Sequence, residues 1–427
     1  MKKKKRKNPY RLLIAICTIF LVAALICIVL LFKGASLKKA ESSKNQTDQT
    51  QDHVQDAAQD PLSEDQLPKE DEEPELTEAQ KLELEIDTLL AEMPLEDKVS
   101  QLFFVTPEAL TGVEVAIQAG EATKNALLEY PVGGIILFSQ NIQGEEQVKT
   151  MLSNMHTYSR YPLFTGVDEE GGTLVARIAN SGTISVPTFP DMQEIGNTGD
   201  PEQAYEVGST IGGYLKNLGF NLDFAPVADV ATNPDNPIIG VRSFGSDAAL
   251  VSQMVAKEVE GMQSQGVSAV IKHFPGHGDT AEDSHAEAAV SYKTIDELRG
   301  TEFLPFSAGI EAGTDMVMVG HIAVPNILGD YTPATLSEQM ITGYLREELG
   351  YDGIVITDAM RMGAIVNYYD PAQAVVMVLQ AGGDMILMPE DFFSARQAVL
   401  DAVYNNVLTE ERIDESLRRI YRVKLGK

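Results

Sequence analysis

Gly266-Val267-Ser268-Ala269-Val270-Ile271-Lys272-His273-Phe274-Pro275-Gly276-His277-Gly278-Asp279-Thr280-Ala281-Glu282-Asp283-Ser284-His285 is the stretch from which the rest of the chain can be read. Its first six residues are small, apolar and β-branched, the make-up of a buried strand. The fourteen that follow hold three of the six histidines, with Lys272, the acids Asp279, Glu282 and Asp283, and the turn formers Pro275, Gly276 and Gly278. Proton-transferring groups thus emerge at the C-terminal end of a strand, where parallel α/β folds place their chemistry.

The same grammar recurs along the chain. Short apolar runs that end in polar or Gly/Pro turns lie at Gln101 to Val105, Gly134 to Phe138, Pro162 to Val167, Asn221 to Val227, Ser268 to His273, Asp315 to Gly320, Gly353 to Thr357 and Asp384 to Met388. Helical stretches separate most of them, so residues 78–427 read as an α/β protein, a single closed (β/α)8 barrel of the TIM type. A doubly wound open sheet is the alternative, and the Gly-rich phosphate turn it should carry after an early strand is not found. One rim of one barrel would collect Asp168-Glu169-Glu170-Gly171-Gly172, Lys272-His273, Gly320-His321 and Thr357-Asp358. The chain closes on an amphipathic helix, Thr409 to Ile420, with Thr409 as its expected N-cap.

Charge is unevenly spread. Residues 1–40 carry only basic groups, about +10, against about −40 on the remainder, for a net −30. Residues 1–11 read as a basic cytoplasmic segment and residues 12–32 as a transmembrane helix, an uncharged apolar run long enough to cross a bilayer core of about 30 Å. A cleaved signal peptide is the alternative, but no small-x-small site closes the run. Residues 33–77 are rich in Gln, Asp, Glu, Ser and Pro and read as a disordered acidic linker. The expectation is a single-pass cell-membrane protein with its catalytic domain outside. Cys17 and Cys27, the two cysteines, fall inside the apolar run, so the exported part has no disulfide or thiolate. Such acidity argues against a nucleic-acid partner.

Two acidic centres on separate strands are what glycoside hydrolysis needs, one to attack the anomeric carbon and one to donate a proton to the departing oxygen. Asp358 is the nucleophile candidate, its plainer reading being a helix N-cap. The donor candidate is His285, whose ring Asp283 could orient and whose protonated form it would stabilise. His273, His277, Asp279, Asp283 and His285 also resemble a metal-ligand set. Zinc ligands usually come at helical or knuckle spacing, however, and this loop is broken by Pro275-Gly276 and Gly278. The reading therefore calls for no metal and no cofactor. His321 is weighed equally between a structural and a functional role, His156 is expected on the surface or in packing, and His53 in the linker.

Lys272-His273-Phe274-Pro275-Gly276-His277-Gly278-Asp279-Thr280 through Asp283-Ser284-His285 resembles glycoside hydrolase family 3, and within it the β-N-acetylhexosaminidases of the NagZ type. Asp168-Glu169-Glu170-Gly171-Gly172, Asp223-Phe224-Ala225-Pro226-Val227-Ala228-Asp229-Val230, Arg242-Ser243-Phe244-Gly245 and Ile356-Thr357-Asp358-Ala359-Met360 support the likeness, in the right order, from about Met93 to the C-terminal helix. The resemblance implies a barrel enzyme that removes terminal β-linked N-acetylglucosamine with retention, acting here on peptidoglycan fragments or muropeptides. By that resemblance Asp358 is the nucleophile, His285 with Asp283 the acid/base dyad, and Asp168, Arg177, Arg242, Lys272 and His273 hold the sugar. Glu169 stands where Gln is commoner, and the step from Gly172 to Arg177 is one residue longer than usual. A β-glucosidase or β-xylosidase of the same family and a noncatalytic wall-binding protein are the alternative functions.

Overall fold

Each of the eight apolar runs contributes a strand to one parallel sheet. The computed structural model describes residues 76–281 and 289–426. In chain order the strands are β1 (Phe103–Val105), β2 (Gly134–Ile136), β3 (Phe164–Val167), β4 (Leu222–Asp223), β5 (Ser268–Phe274), β6 (Met316–Val319), β7 (Ile354–Thr357) and β8 (Ile386–Leu387). From β1 to β7 each pairs with its chain neighbours, and β8 returns to β1 with Phe103 opposite Ile386. A bridge between Ile356 and Met385, with the Thr357 N–H donating to the Met385 carbonyl at 3.1 Å, brings β7 and β8 together. The result is a nearly closed eight-stranded parallel barrel, with helices such as Glu145–Tyr158, Pro201–Leu218 and Ala248–Ser264 between strands. The described residues belong to one compact unit, Glu75–Lys427.

Aromatic rings plug the barrel. Phe104 lies parallel to Phe164, centroids 6.5 Å apart, and meets Phe224 edge-on at 5.2 Å, all three buried. Gly166 on β3 makes room for them, because a Cβ there would lie 2.9 Å from both the Phe104 and Phe224 rings. Burying each such ring contributes roughly 1.5–3 kcal/mol. At the other end of the chain order, helix Glu410–Leu425 starts as its sequence says it should, Thr409 Oγ1 accepting the Arg412 N–H at 3.1 Å. It packs on helix Glu78–Glu92, where Arg422 Nε donates to Glu83 Oε1 at 2.6 Å.

Strand boundaries differ from expectation in instructive ways. The run Asn221 to Val227 yields only Leu222–Asp223 as regular strand, because Pro226 has no N–H to give to the ladder. Pairing resumes irregularly, with the Ala228 N–H donating to Lys272 O at 2.6 Å. An antiparallel hairpin, Glu169–Gly171 with Val175–Ala176, and a short parallel pair, Ala289–Val290 with Ile322–Ala323, extend beyond the strand ends and were not expected. Among the described residues no helix is long and apolar enough to cross a membrane. The span expected at residues 12–32 and most of the linker expected at 33–77 lie outside the described residues.

Candidate active site

At the C-terminal ends of the strands lies an open cleft. Its floor is an ion network. Lys272, near the end of β5, donates from Nζ to Asp168 Oδ1 at 2.9 Å and to Glu170 Oε1 at 2.6 Å. Arg242, from the turn Gly240–Arg242, grips Glu170 with both arms, Nε to Oε2 at 2.7 Å and Nη2 to Oε1 at 2.7 Å. Asp168 and Glu170 reach the same lysine because alternate residues of an extended chain share a face. Burial pushes the Glu170 carboxyl up, but the Arg242 and Lys272 cations outweigh it and hold the group well below the usual range. Burial works against the Lys272 ammonium, and Asp168 and Glu170 outweigh it and raise its value. Glu170, Lys272 and Arg242 are thus each held in their charged form, and the network is a fixed set of directional donors and acceptors for a polar ligand.

His273 is aimed by Asp229. Its Nδ1 donates to Asp229 Oδ2 at 2.7 Å, while Asp229 Oδ1 accepts the His277 N–H at 2.6 Å. His277 Nδ1 bonds with Thr280 Oγ1 at 2.7 Å, and Asn236 Nδ2 donates to the His277 carbonyl at 2.8 Å. Gly278 lets this turn lie against the chain after β4, since a Cβ there would sit 1.9 Å from the Val230 carbonyl oxygen. Asp279 is engaged by Thr232 and Ser291. The weighed ligand set thus spends its described members on protein partners, and among the described residues no group of three or more His, Cys, Asp or Glu is arranged to hold a metal.

Asp358 follows β7 and is fixed by a turn rather than a helix start, the next helix beginning at Gly363. Its Oδ1 accepts the Ala359 N–H at 2.7 Å, and its own N–H donates to Val319 O at 3.0 Å. His321, fully buried, supports the turn from below, its Nε2 donating to the Ala359 carbonyl at 3.0 Å and its Nδ1 bonding with Thr335 Oγ1 at 2.8 Å. Burial raises the Asp358 carboxyl, but nearby His273 and His321, the Ala359 N–H and Lys272 outweigh it and leave it below its ordinary value. A carboxylate held ionised in a buried cleft is a nucleophile or a cation's partner. If turnover needs that carboxylate charged, activity is retained as pH falls past the free-aspartate value of about 3.9 and is lost only through the lower value in the folded protein. A kcat/KM profile whose Asp358-dependent acid limb lies clearly above pH ~4 would contradict this.

Arg177 lies over the Phe138 ring, 5.7 Å from its centroid, at the cleft wall. Glu169 sets the course of the chain that carries it. Its carboxylate accepts the Ile178 N–H at 2.6 Å, the Ala179 N–H at 2.9 Å and the Tyr214 hydroxyl at 2.7 Å. The expected residues Asp168, Arg177, Arg242, Lys272, His273 and Asp358 therefore line one cleft, although they come from five separate parts of the chain. Asp283 and His285 fall at 282–288, outside the described residues. Glu170, Asp229 and Glu169 were missed as site residues. His156, exposed on its helix, meets Thr165 Oγ1 at 3.3 Å on the far side of β3 from this chemistry.

Residues 94–423 match the Glycosyl hydrolase family 3 N terminal domain. The chain is similar to a beta-hexosaminidase A of Pseudoalteromonas piscicida, 35% identical over 324 residues covering 69% of this chain and 53% of that protein. It is also similar to a beta-N-acetylglucosaminidase/beta-glucosidase of Cellulomonas fimi, 32% identical over 79% of this chain and 59% of that one. It thus spans little more than half the length of these two relatives. The solved structure of a glycoside hydrolase family 3 beta-N-acetylglucosaminidase from Paenibacillus sp. str. FPU-7 superposes with a TM-score of 0.73 at 38% identity, over 78% of this chain and 62% of that one. With the family's domain matched over most of its length, the chain belongs to glycoside hydrolase family 3.

Proposed function

We propose that the barrel is a retaining exo-β-N-acetylglucosaminidase that removes terminal β-linked N-acetylglucosamine from peptidoglycan fragments. The observation that carries this reading is Asp358, a half-buried carboxylate whose acidity nearby cations strengthen, in one cleft with a charged network suited to sugar hydroxyls. The names of the similar proteins support the choice of sugar. In the first step an Asp358 oxygen attacks the anomeric carbon, and the bond to the leaving oxygen breaks with its electron pair on that oxygen, which takes a proton from His285. In the second step His285, held by Asp283, removes a proton from water, which displaces Asp358 and releases the sugar. The apolar run at 12–32 and the acidic linker at 33–77 support a location on the outer face of the cell membrane, within reach of wall fragments.

Release of p-nitrophenol by the full-length chain in mild detergent, from the β-N-acetylglucosaminide and from the β-glucoside, tests the reading. Activity on the N-acetyl substrate that survives EDTA supports it. Preference for the glucoside would assign the chain to the family's other activity, silence on both would favour a binding protein, and loss with EDTA would restore the metal site. His285→Ala is expected to lose far more rate on a disaccharide than on the aryl glycoside, about 10²–10⁴-fold against a small change, because p-nitrophenolate leaves without protonation. Equal losses on both substrates would remove His285 from the acid role.

A further inference from the structure

Among the described residues that line the cleft, the cations Lys272, Arg242, Arg177 and Arg361 outnumber the carboxylates Asp168, Glu170 and Asp358 by one. Lys272 and Arg242 are matched by Asp168 and Glu170. That leaves Asp358 facing two further cations of the lining, Arg177 and Arg361. Arg177 feels the charge of the nearby Glu169 carboxylate, although its Nε is a buried donor with no acceptor, whereas Arg361 has no ion pair among the described residues. This surplus stands out in a chain of net charge −30. It grows by one more charge when Asp358 becomes a neutral ester during turnover. A neutral N-acetyl sugar offers nothing to balance it.

Arg361 is the cation that the sequence reading leaves unassigned. Its main chain is pinned at the rim, the Met360 N–H donating to Leu387 O at 2.9 Å and the Arg361 N–H to Met388 O at 3.1 Å. Met360 and Met362 on either side are buried, so Arg361 between them points outward and is exposed. The floor formed by Lys272, Glu170 and His273 is buried, so the terminal sugar sits deep and the rest of the substrate passes the rim. An arginine fixed there, three residues beyond the attacking carboxylate, is placed to read the leaving group.

We infer that Arg361 is a specificity-determining residue that binds a carboxylate on the leaving-group saccharide. This rests on the proposed glycosidase activity. An arginine fork matches a carboxylate in geometry as well as in charge. The carboxylate can belong to the sugar ring itself, as in the lactyl ether of muramic acid, or to a peptide attached to it.

The test compares kcat/KM of the full-length chain on N-acetylglucosaminyl-β-1,4-N-acetylmuramic acid and on chitobiose, in the wild type, Arg361→Gln and Arg361→Lys. The acidic disaccharide is expected to be preferred by about tenfold or more, with Arg361→Gln bringing the ratio close to one and Arg361→Lys keeping part of it. The preference should shrink as salt is raised. A third substrate, whose lactyl group is amide-linked to a peptide, locates the carboxylate: preference kept only on this substrate assigns it to the peptide. A wild-type ratio near one on both the acidic disaccharide and the peptide-linked substrate, or a ratio unmoved in Arg361→Gln, overturns the inference while leaving the activity standing. Silence of the wild type on both disaccharides and on the aryl N-acetylglucosaminide overturns both together. Phosphate-stimulated turnover that Arg361→Gln loses would assign the cation to an anionic acceptor and also overturn it.

Discussion

Asp358→Asn is expected to lower sugar release by about 10⁴-fold or more while the protein stays folded. The amide has the carboxylate's shape, and its Oδ1 can still accept the Ala359 N–H that holds the turn at 2.7 Å. What it loses is the negative charge that His273, His321 and Lys272 stabilise, and with it the ability to form and release a sugar ester. Turnover of the aryl N-acetylglucosaminide and the thermal unfolding midpoint, measured on the same preparation, separate the two effects. A rate within tenfold of the wild type would remove Asp358 from the chemistry. A lost rate with a lost fold would show only that the turn had been broken, and Asp358→Ser would then be the variant to measure.

Glu170→Ala should be the most damaging single change to the cleft's architecture. It strips Arg242 of both charged hydrogen bonds, leaving it the Ile238 carbonyl at 3.1 Å, and takes from Lys272 its 2.6 Å partner while Asp168 remains. Two cations are then under-compensated in a buried site, a situation that costs about 3–5 kcal/mol. Urea unfolding of wild type and variant reads this directly, and a loss below ~1 kcal/mol would mean that the network relaxes or hydrates freely. The sign with pH follows from the lowered Glu170 value. Its contribution to stability is complete above the unfolded glutamate value of about 4.3 and disappears as pH falls through the lower folded value. The stability difference between wild type and Glu170→Ala should therefore hold above about pH 4.3 and narrow progressively as pH falls below it.

The barrel was legible because its eight strands are buried on both faces and so read as unbroken apolar runs. The observed strands fall within the expected ranges, except that β5 runs one residue further, to Phe274. Periodicity marks burial, but it does not mark where a ladder stops, which at β4 depends on one proline. Asp358, Lys272 and His273 were legible by their place at or beside strand ends. Glu170 and Asp229 lay inside quoted motifs without a role, because neither position nor residue type tells a ligand-facing acid from one that aims another side chain. A period-2 reading of Asp168-Glu169-Glu170 was available and would have put Asp168 and Glu170 on one face and Glu169 on the other. That is how Lys272 and Tyr214 divide them. Pairings such as Asp229 with His273, 44 residues apart, exist only once the chain has folded. The Asp283–His285 dyad rests on the resemblance alone, since it lies outside the described residues.

In the proposed reaction Asp358 becomes covalently bonded to the sugar. Rapid quenching of the full-length protein during turnover of a 5-fluoro N-acetylglucosaminyl fluoride, followed by proteolysis and mass spectrometry, measures that bond. One glycosyl residue is expected on the peptide that contains Ile356-Thr357-Asp358-Ala359, absent in Asp358→Asn. An adduct on another residue, or turnover with no adduct and an α-configured first product, would contradict it.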